Sequence, residues 1–183
     1  MRALRHIAIA AAAIVMTVLS AYARIKPTPT DAETILFQYF EIVGSENSEA
    51  ELARWVSTKS DTELAALPII IGFGMINQIE SPILSDSTVY NACLSAIGLI
   101  KKGMTTIDHS GDTNALYLTT SDAGLIPARY ILANAYDRAY KYLEADSAYV
   151  ATAKEVGRDF GSDSEEFVYW SNCCAGSLQR KNI

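Results

Sequence analysis

The chain has 183 residues, with 15 Lys or Arg against 21 Asp or Glu, and its net charge at pH 7 is −6. This length fits a single domain with a sizeable core. An acidic surface without a basic patch repels the phosphates of DNA and RNA, so the composition excludes nucleic acid as an expected partner.

The N-terminus has the order of regions found in a secretory signal. Positive charge at Arg2 and Arg5 precedes the apolar run Ile7–Leu19, and small residues follow up to Ala23. This order predicts a signal peptide over residues 1–23, cleaved after Ala23, and a protein exported to the periplasm or the cell exterior. An uncleaved anchor is the alternative, although a membrane span needs roughly 20 apolar residues. The mature chain, with 13 basic and 21 acidic residues and a net charge of −8, is not expected to span a membrane.

Helices are predicted from residue 31 onward, after an extended leader over residues 24–30 that contains two prolines. The main signal in the N-terminal helical region, residues 31–103, is the capping box. In this pattern Ser or Thr precedes Glu by three residues, and each side chain accepts a hydrogen bond from the other residue's backbone N–H. The pattern occurs at Thr30–Glu33, Ser48–Glu51 and Ser60–Glu63, and again at Ser162–Glu165.

Proline and glycine divide this region. Pro68 leaves two interpretations of the third helix open, a kinked helix or a break with a new helix starting there. Gly44 and Gly103 are predicted to end the first and fourth helices. Residues 104–121 are predicted as a flexible loop or linker, because Thr, Asp, Ser and Gly dominate their first half. One helical turn or a short strand at Ala115–Leu118 is the alternative.

The segment Arg129–Thr152 carries the most informative pattern of the chain. Ala133 and Tyr136 are three residues apart, Ala145 and Tyr149 are four apart, and a turn is predicted around residues 140–142 between them. Small residues let two helix axes approach closely, and aromatic side chains fill the space beside them. The spacing therefore predicts two antiparallel helices that pack against each other.

The segment Ala128–Gly157 resembles a tetratricopeptide repeat, a helix pair that stacks into a superhelix with a concave binding face. A shift of 42 residues, similar to the repeat found in kinesin light chains, places Ala175 under Ala133 and Leu178 under Tyr136. The usual glycine of the inter-helix turn is absent, since Tyr140 or Lys141 stands there. The residues that match packing positions of the family are Leu132, Ala133, Tyr136, Tyr142, Ala145, Tyr149, Ala175 and Leu178.

The resemblance implies an all-α fold in which helical hairpins over residues 122–183 stack as a short, truncated TPR-like α-solenoid. It also implies a module that binds a protein or peptide, is not itself an enzyme, and holds no cofactor or metal. Tyr130, Asn134 and Tyr140 are the candidate partner-binding residues, because a tyrosine on the concave face would touch a ligand.

The last repeat stops at Ile183, before its second helix, which leaves two explanations open. Either the chain is a fragment of a longer protein, or another subunit covers the last helix. The alternative function is therefore an N-terminal sensory or regulatory part of a larger signalling receptor or caspase-like peptidase.

The cysteines suggest a third, weaker hypothesis. After export, Cys93 could pair with Cys173 or Cys174 in an oxidising compartment, but three small buried thiols are the interpretation we favour. A thiol nucleophile at Cys173 with His109 as its base would make the chain an enzyme. A lone surface histidine in a polar loop explains His109 more simply, because catalytic triads are defined by geometry.

Overall fold

The structure is a computed structural model that describes residues 26–79 and 86–179, so the predicted signal peptide lies outside the described residues. Within those ranges the chain forms seven α-helices, one 3₁₀ turn at Thr113–Leu116 and three short strands. The helices are α1 (Ala32–Val43), α2 (Ser48–Val56), α3 (Asp61–Gln78), α4 (Asp86–Ser110), α5 (Ala128–Arg138), α6 (Tyr142–Phe160) and α7 (Glu165–Gln179). The strands are β1 (Thr30–Asp31), β2 (Tyr117–Thr120) and β3 (Gly124–Pro127). The predicted all-α class is confirmed, with the small sheet as an addition.

The sheet joins the start of α1 to the segment between α4 and α5. Strand β1 pairs in parallel with β2, with Thr30 opposite Leu118, and β2 pairs antiparallel with β3, with Leu118 opposite Ile126. Because β1 leads directly into α1, this pairing fixes the start of α1 beside the β2–β3 turn. Asp31 ends the strand and caps the helix, since its Oδ1 atom accepts a hydrogen bond from the Thr34 N–H over 3.0 Å.

Helices α3 and α4 form the most closely packed pair, and glycine makes the approach possible. A Cβ on Gly72 would lie 2.7 Å from Cγ1 of Ile100, and a Cβ on Gly103 would lie 2.7 Å from Cγ1 of Ile69. Both isoleucines are fully buried. Helix α3 runs without a break through Pro68, so of the two alternatives left open at that residue the break is wrong.

The prediction of a loop over residues 104–121 is wrong, and so is the helix end at Gly103. Helix α4 continues to Ser110, and Met104 and Ile107 are buried on the same face as Ile100. Gly103 lies inside the helix because its missing side chain admits Ile69 of α3, not because the helix stops there. Beyond the helix, a 3₁₀ turn at Thr113–Leu116 leads into strand β2, so each of the two alternatives for Ala115–Leu118, a helical turn or a short strand, describes part of that segment.

One core unites the regions that the sequence divides at residue 104. Its buried side chains come from α1, α3, α4, the sheet, α5, α6 and α7, and they extend from Ala32 to Trp170. From α3 to α7, each helix packs extensively on the next one in the chain. None of the helices over residues 26–79 and 86–179 has both the length and the apolar character that crossing a lipid bilayer requires.

From residue 26 onward the predicted leader is extended, but it is also bound to the domain. Pro27 and Thr30 are buried, and the Thr28 N–H donates to Oδ1 of Asn114 over 2.9 Å. Lys26 forms an ion pair with Glu166 at 3.1 Å and lies over the ring of Phe160. The residues that follow the predicted cleavage site therefore hold the sheet and helices α6 and α7 together.

Candidate functional site

The α5–α6 hairpin has the packing that its alanine and tyrosine spacing predicts. Ala133 and Ala145 are completely buried, and Tyr149 is 3% exposed. They form one small cluster with Ala148 of α6 and Cys174 of α7, against which Tyr136 and Leu178 also pack. Leu132 is buried as well, on the side of the larger core.

Two of the predicted packing residues lie elsewhere. Ala175 is exposed, and its neighbour Cys174 occupies the buried position opposite Ala133. The shift of 42 residues therefore fails at Ala175, although it places Leu178 against the cluster as expected. Tyr142 is 48% exposed because it is the first residue of α6, where its ring contacts that of Tyr140 instead of the core.

An open groove lies on the described surface, and we call it the aromatic groove. Its wide end is a cavity of about 570 Å³ between α1, α3 and the β2–β3 turn. Its narrow end is a cavity of about 210 Å³ between α3, α5 and α7. The two cavities share Phe73, Asn77, Ala123 and Ile126, so they adjoin, and together they make up the aromatic groove.

Aromatic side chains line the groove along its whole length. At the wide end Phe37 is 65% exposed and Phe40 is 42% exposed, and both face Phe73 across the cavity. At the narrow end Tyr130, Tyr169 and Trp170 line the wall. Their rings are in contact, since the centroid of Trp170 lies 4.7 Å from that of Tyr130 and 5.1 Å from that of Tyr169.

Helical periodicity explains why each helix presents these side chains together. Phe37 and Phe40 lie three residues apart on α1, Phe73 and Asn77 lie four apart on α3, and Tyr130 and Asn134 lie four apart on α5. Residues at these spacings share one helix face. Tyr169 and Cys173 repeat the spacing on α7. The alternate helices α1, α3, α5 and α7 thus each contribute one stripe to the same groove.

The wide end is acidic. Among the described residues that line the two cavities, Glu33 and Asp122 are the charged ones. Oε2 of Glu33 accepts hydrogen bonds from the Ser121 hydroxyl at 2.7 Å and from the Ser121 N–H at 3.0 Å. These bonds hold the pKa of Glu33 below its usual value, so the carboxylate is ionised at neutral pH. They also fix the β2–β3 turn, which carries Asp122, against α1.

Amide side chains provide the other polar groups of the groove. Asn77 and Gln78 are exposed at the end of α3, and Asn134 faces the narrow end. Arg138 lies behind Asn134 and donates from Nε to its Oδ1 atom over 3.2 Å. An amide both donates and accepts hydrogen bonds, so it pairs with a peptide backbone. The groove can therefore accept apolar side chains and hydrogen-bond the main chain that carries them.

The structure separates the predicted partner-binding residues. Tyr130 and Asn134 both line the narrow end of the groove. Tyr140 does not, because it lies at the α5–α6 turn, where it is 65% exposed beside Tyr142. Of the three candidates, Tyr140 therefore lies outside the aromatic groove, in the turn of the hairpin.

Sequence reasoning missed the aromatic residues of α1. Ile35 and Tyr39 mark the face of α1 that packs inward, and Phe37 and Phe40 lie outside that stripe. Two phenylalanines on the polar face of a short amphipathic helix are the signal that could have identified them. Phe73 could not be identified for a different reason. It lies in the continuous apolar run of α3, where the sequence has no polar face that would distinguish a residue of the groove from a residue of the core.

The cysteines are free thiols in three different surroundings. Burial raises the pKa of Cys174 to about 12 and also raises that of Cys93. Cys173 is half-buried and lines the narrow end, where its thiol raises the pKa of the Tyr169 hydroxyl. His109 lies exposed on the last turn of α4, with Nδ1 2.6 Å from the Thr105 carbonyl oxygen, and is not among the residues that line the groove.

Comparisons of this chain with protein-family models, with characterised proteins and with solved structures find no match. The geometry of the aromatic groove therefore carries the functional interpretation. Its open shape, exposed aromatic rings and amide groups are suited to binding a chain molecule.

Proposed function

We propose that this chain is an exported, TPR-like helical module that binds a protein or peptide segment in the aromatic groove and is not itself an enzyme. The observation that carries the proposal is that α1, α3, α5 and α7 each present aromatic or amide side chains to two adjoining cavities. Stacked helical hairpins expose alternate helices on their concave side, and repeat proteins bind partners on such surfaces.

Exposure of the aromatic side chains supports a role in binding. Phe37 and Tyr169 are more than half exposed at opposite ends of the groove. Large apolar side chains grouped on an open surface contact water at a cost in free energy, and such patches mark interaction sites. Aromatic residues also supply much of the binding energy in protein interfaces, because they bury a large area with little loss of conformational entropy.

The form of the groove indicates the kind of ligand. Its two cavities have volumes of about 570 and 210 Å³ and are both open, which suits successive side chains of an extended or helical segment. Export is part of the proposal because of the signal-peptide pattern over residues 1–23.

Peptide selection tests the proposed function. A peptide library displayed on phage is selected against the mature protein, and affinities of the selected peptides are measured by fluorescence anisotropy. We expect the double variant Phe37→Ser and Tyr169→Ser to bind them at least about tenfold more weakly, because each lost ring costs about 1 kcal/mol or more. The matched control is Leu143→Ser and Val168→Ser, which removes exposed apolar side chains that do not line the groove.

Alkylation of Cys173 provides a second measurement at the site. Cys173 lines the narrow end, whereas Cys93 and Cys174 are buried, so mass spectrometry can follow the Cys173 reaction separately. A bound peptide should slow alkylation of Cys173 and leave the other two unchanged. The proposal would be overturned if the variant with Phe37→Ser and Tyr169→Ser bound the selected peptides as tightly as the wild type does. It would also be overturned if no selected peptide bound with micromolar affinity.

A further inference from the structure

The wide end of the aromatic groove has a charge that its narrow end lacks. Glu33 lies on the first turn of α1 and Asp122 lies in the β2–β3 turn, and both line the cavity that Phe37, Phe40 and Phe73 also line. Near the narrow end, the guanidinium of Arg138 donates to Asn134, and Arg138 does not line either cavity. The two ends of the groove therefore differ in electrostatic character.

The carboxylate of Glu33 is fixed in place. Both of its hydrogen bonds come from Ser121, next to Asp122, and both end on the Oε2 atom. A carboxylate held in this way keeps its charge and its position without a cationic partner in either bond. Three phenylalanine rings lie beside it, and the faces of such rings attract cations as well as apolar groups.

We propose that the wide end is a specificity subsite for a Lys or Arg side chain of the bound segment, with a neighbouring apolar side chain between Phe37, Phe40 and Phe73. This inference rests on the proposed peptide-binding function and adds the chemistry of the ligand. A guanidinium or ammonium group pairs with Glu33 and Asp122, and its aliphatic stem covers the phenylalanine rings. Charge complementarity selects this occupant, because an acidic segment would meet two carboxylates in a groove whose described lining holds no cation.

Three matched peptide pools test the inference. Each pool consists of fluorescein-labelled, amidated hexapeptides with one fixed central residue, which is Arg, Gln or Glu, and apolar residues or Ser elsewhere. Anisotropy is measured with the mature protein at low and at high concentrations of NaCl. We expect the Arg pool to bind about five- to tenfold more tightly than the Gln pool and the Glu pool to bind most weakly, with the differences reduced at high salt.

A charge-neutral variant locates the effect. Glu33→Gln with Asp122→Asn keeps the shape and the acceptor for Ser121, and should abolish the difference in affinity between the Arg pool and the Gln pool. Glu144→Gln with Asp163→Asn changes the net charge by the same amount at exposed positions outside the groove, and should keep the preference for Arg.

The outcomes separate this inference from the proposed function. If the three pools bind equally and the Phe37→Ser and Tyr169→Ser variant weakens all of them, the groove binds peptides but the cation subsite is wrong. If the control charge variant loses the preference as well, the effect belongs to the whole surface and the inference falls. Self-association abolished by Phe37→Ser, with no pool bound, would assign the wide end to a second copy of the chain and overturn it.

Discussion

A single backbone angle shows how the α5–α6 turn replaces the glycine that repeat families use there. Tyr140 has φ of 57°, in the left-handed region. Its N–H donates to the Asp137 carbonyl, and the Lys141 N–H donates to the Tyr136 carbonyl over 2.9 Å. These two bonds form the Schellman motif that ends many helices, in which the residue with positive φ is usually glycine.

The strain at Tyr140 leads to a prediction. A side chain in the left-handed region costs about 1 kcal/mol, which glycine does not incur. Tyr140→Gly should therefore have a free energy of unfolding about 1 kcal/mol above that of Tyr140→Ala, measured by urea denaturation. The alanine variant is the matched reference, because it also loses the ring contact with Tyr142 but keeps the Cβ. Equal stability of the two variants would contradict the role of the backbone angle.

Capping residues show how far single positions were predictable. Of the predicted capping boxes, Ser60–Glu63 forms as expected, since Glu63 Oε2 accepts from the Ser60 N–H at 2.8 Å and the Ser60 Oγ accepts in return. At α1, Asp31 takes the capping role and Glu33 turns to Ser121. At α7, Ser164 accepts from the Phe167 N–H, two residues later than predicted. A local pattern predicts that a helix begins nearby, but tertiary partners decide which side chain caps it.

At the scale of elements, the glycines of α4 have opposite roles in one helix. Gly103 faces Ile69 of α3 at a distance that excludes a side chain, whereas a Cβ on Gly98 would meet no atom within 4 Å. Gly103→Ala should lower the free energy of unfolding by about 1–3 kcal/mol, because the buried Ile69 must move. Gly98→Ala should raise it by about 0.5–1 kcal/mol, because alanine restricts the unfolded chain and favours the helix.

Thermal and urea unfolding of the two variants measure this difference. Circular dichroism should show the same helix content for both, since each substitution is compatible with an α-helix. No loss of stability in Gly103→Ala would show that α3 and α4 are not packed as closely as the structure indicates, and a loss in Gly98→Ala would show that Gly98 does not face open space.

The same helix explains which elements were predictable. Local spacing predicted the α5–α6 hairpin, because Ala133, Ala145 and Tyr149 contact one another within a short stretch of chain. The role of Gly103 in α4 depends on its contact with Ile69 of α3, which is distant along the chain. Without knowledge of that contact, Gly103 was wrongly predicted to end the helix. The sheet was not predicted for the same reason, since all four helices α1–α4 lie between Thr30 and Leu118 in the chain.

The groove shows the same limit. Tyr130 and Asn134 were identified from the hairpin to which they belong, whereas Phe37 and Phe73 reach the groove only through the stacking of α1 on α3. The repeat resemblance stays a proposal, and its 42-residue register fails at Ala175 by one position. That single residue is decisive on a helix, because one step turns a side chain by about 100° away from the buried face.

At the scale of the whole molecule, two buried tyrosines connect its stability to pH. Burial raises the pKa of Tyr149 to about 12. Burial and the hydrogen bond to Asp159, at 2.7 Å, raise the pKa of Tyr117 well above its usual range. In the unfolded chain both hydroxyls ionise near a pH of about 10. The folded state therefore holds these protons at a pH where the unfolded state has released them.

The sign of the effect follows from this difference. Below about pH 10 both states are protonated and the stabilisation is complete. Above about pH 10 the unfolded state binds fewer protons, so the free energy of unfolding falls with rising pH, and the Tyr149 contribution is lost as the pH approaches its folded pKa of about 12. A difference of that size corresponds to about 3 kcal/mol for Tyr149, of which about 2 kcal/mol is lost by about pH 11.5.

Alkaline denaturation of matched tyrosine variants tests this account. Urea unfolding is measured at about pH 9, 10.5 and 11.5. Across this range the free energy of unfolding should fall steeply for the wild type, and the fall should be about 2 kcal/mol smaller for Tyr149→Phe. The comparison uses slopes, because removal of the hydroxyl in Tyr149→Phe lowers the stability at every pH. Tyr140→Phe is the control. Tyr140 is exposed, so its substitution should leave the pH dependence of the free energy of unfolding as it is in the wild type. If the free energy of unfolding depended on pH in the same way for Tyr149→Phe and the wild type, the cluster between α5, α6 and α7 would not exclude water from this hydroxyl. That result would contradict the close packing of these helices beside the groove.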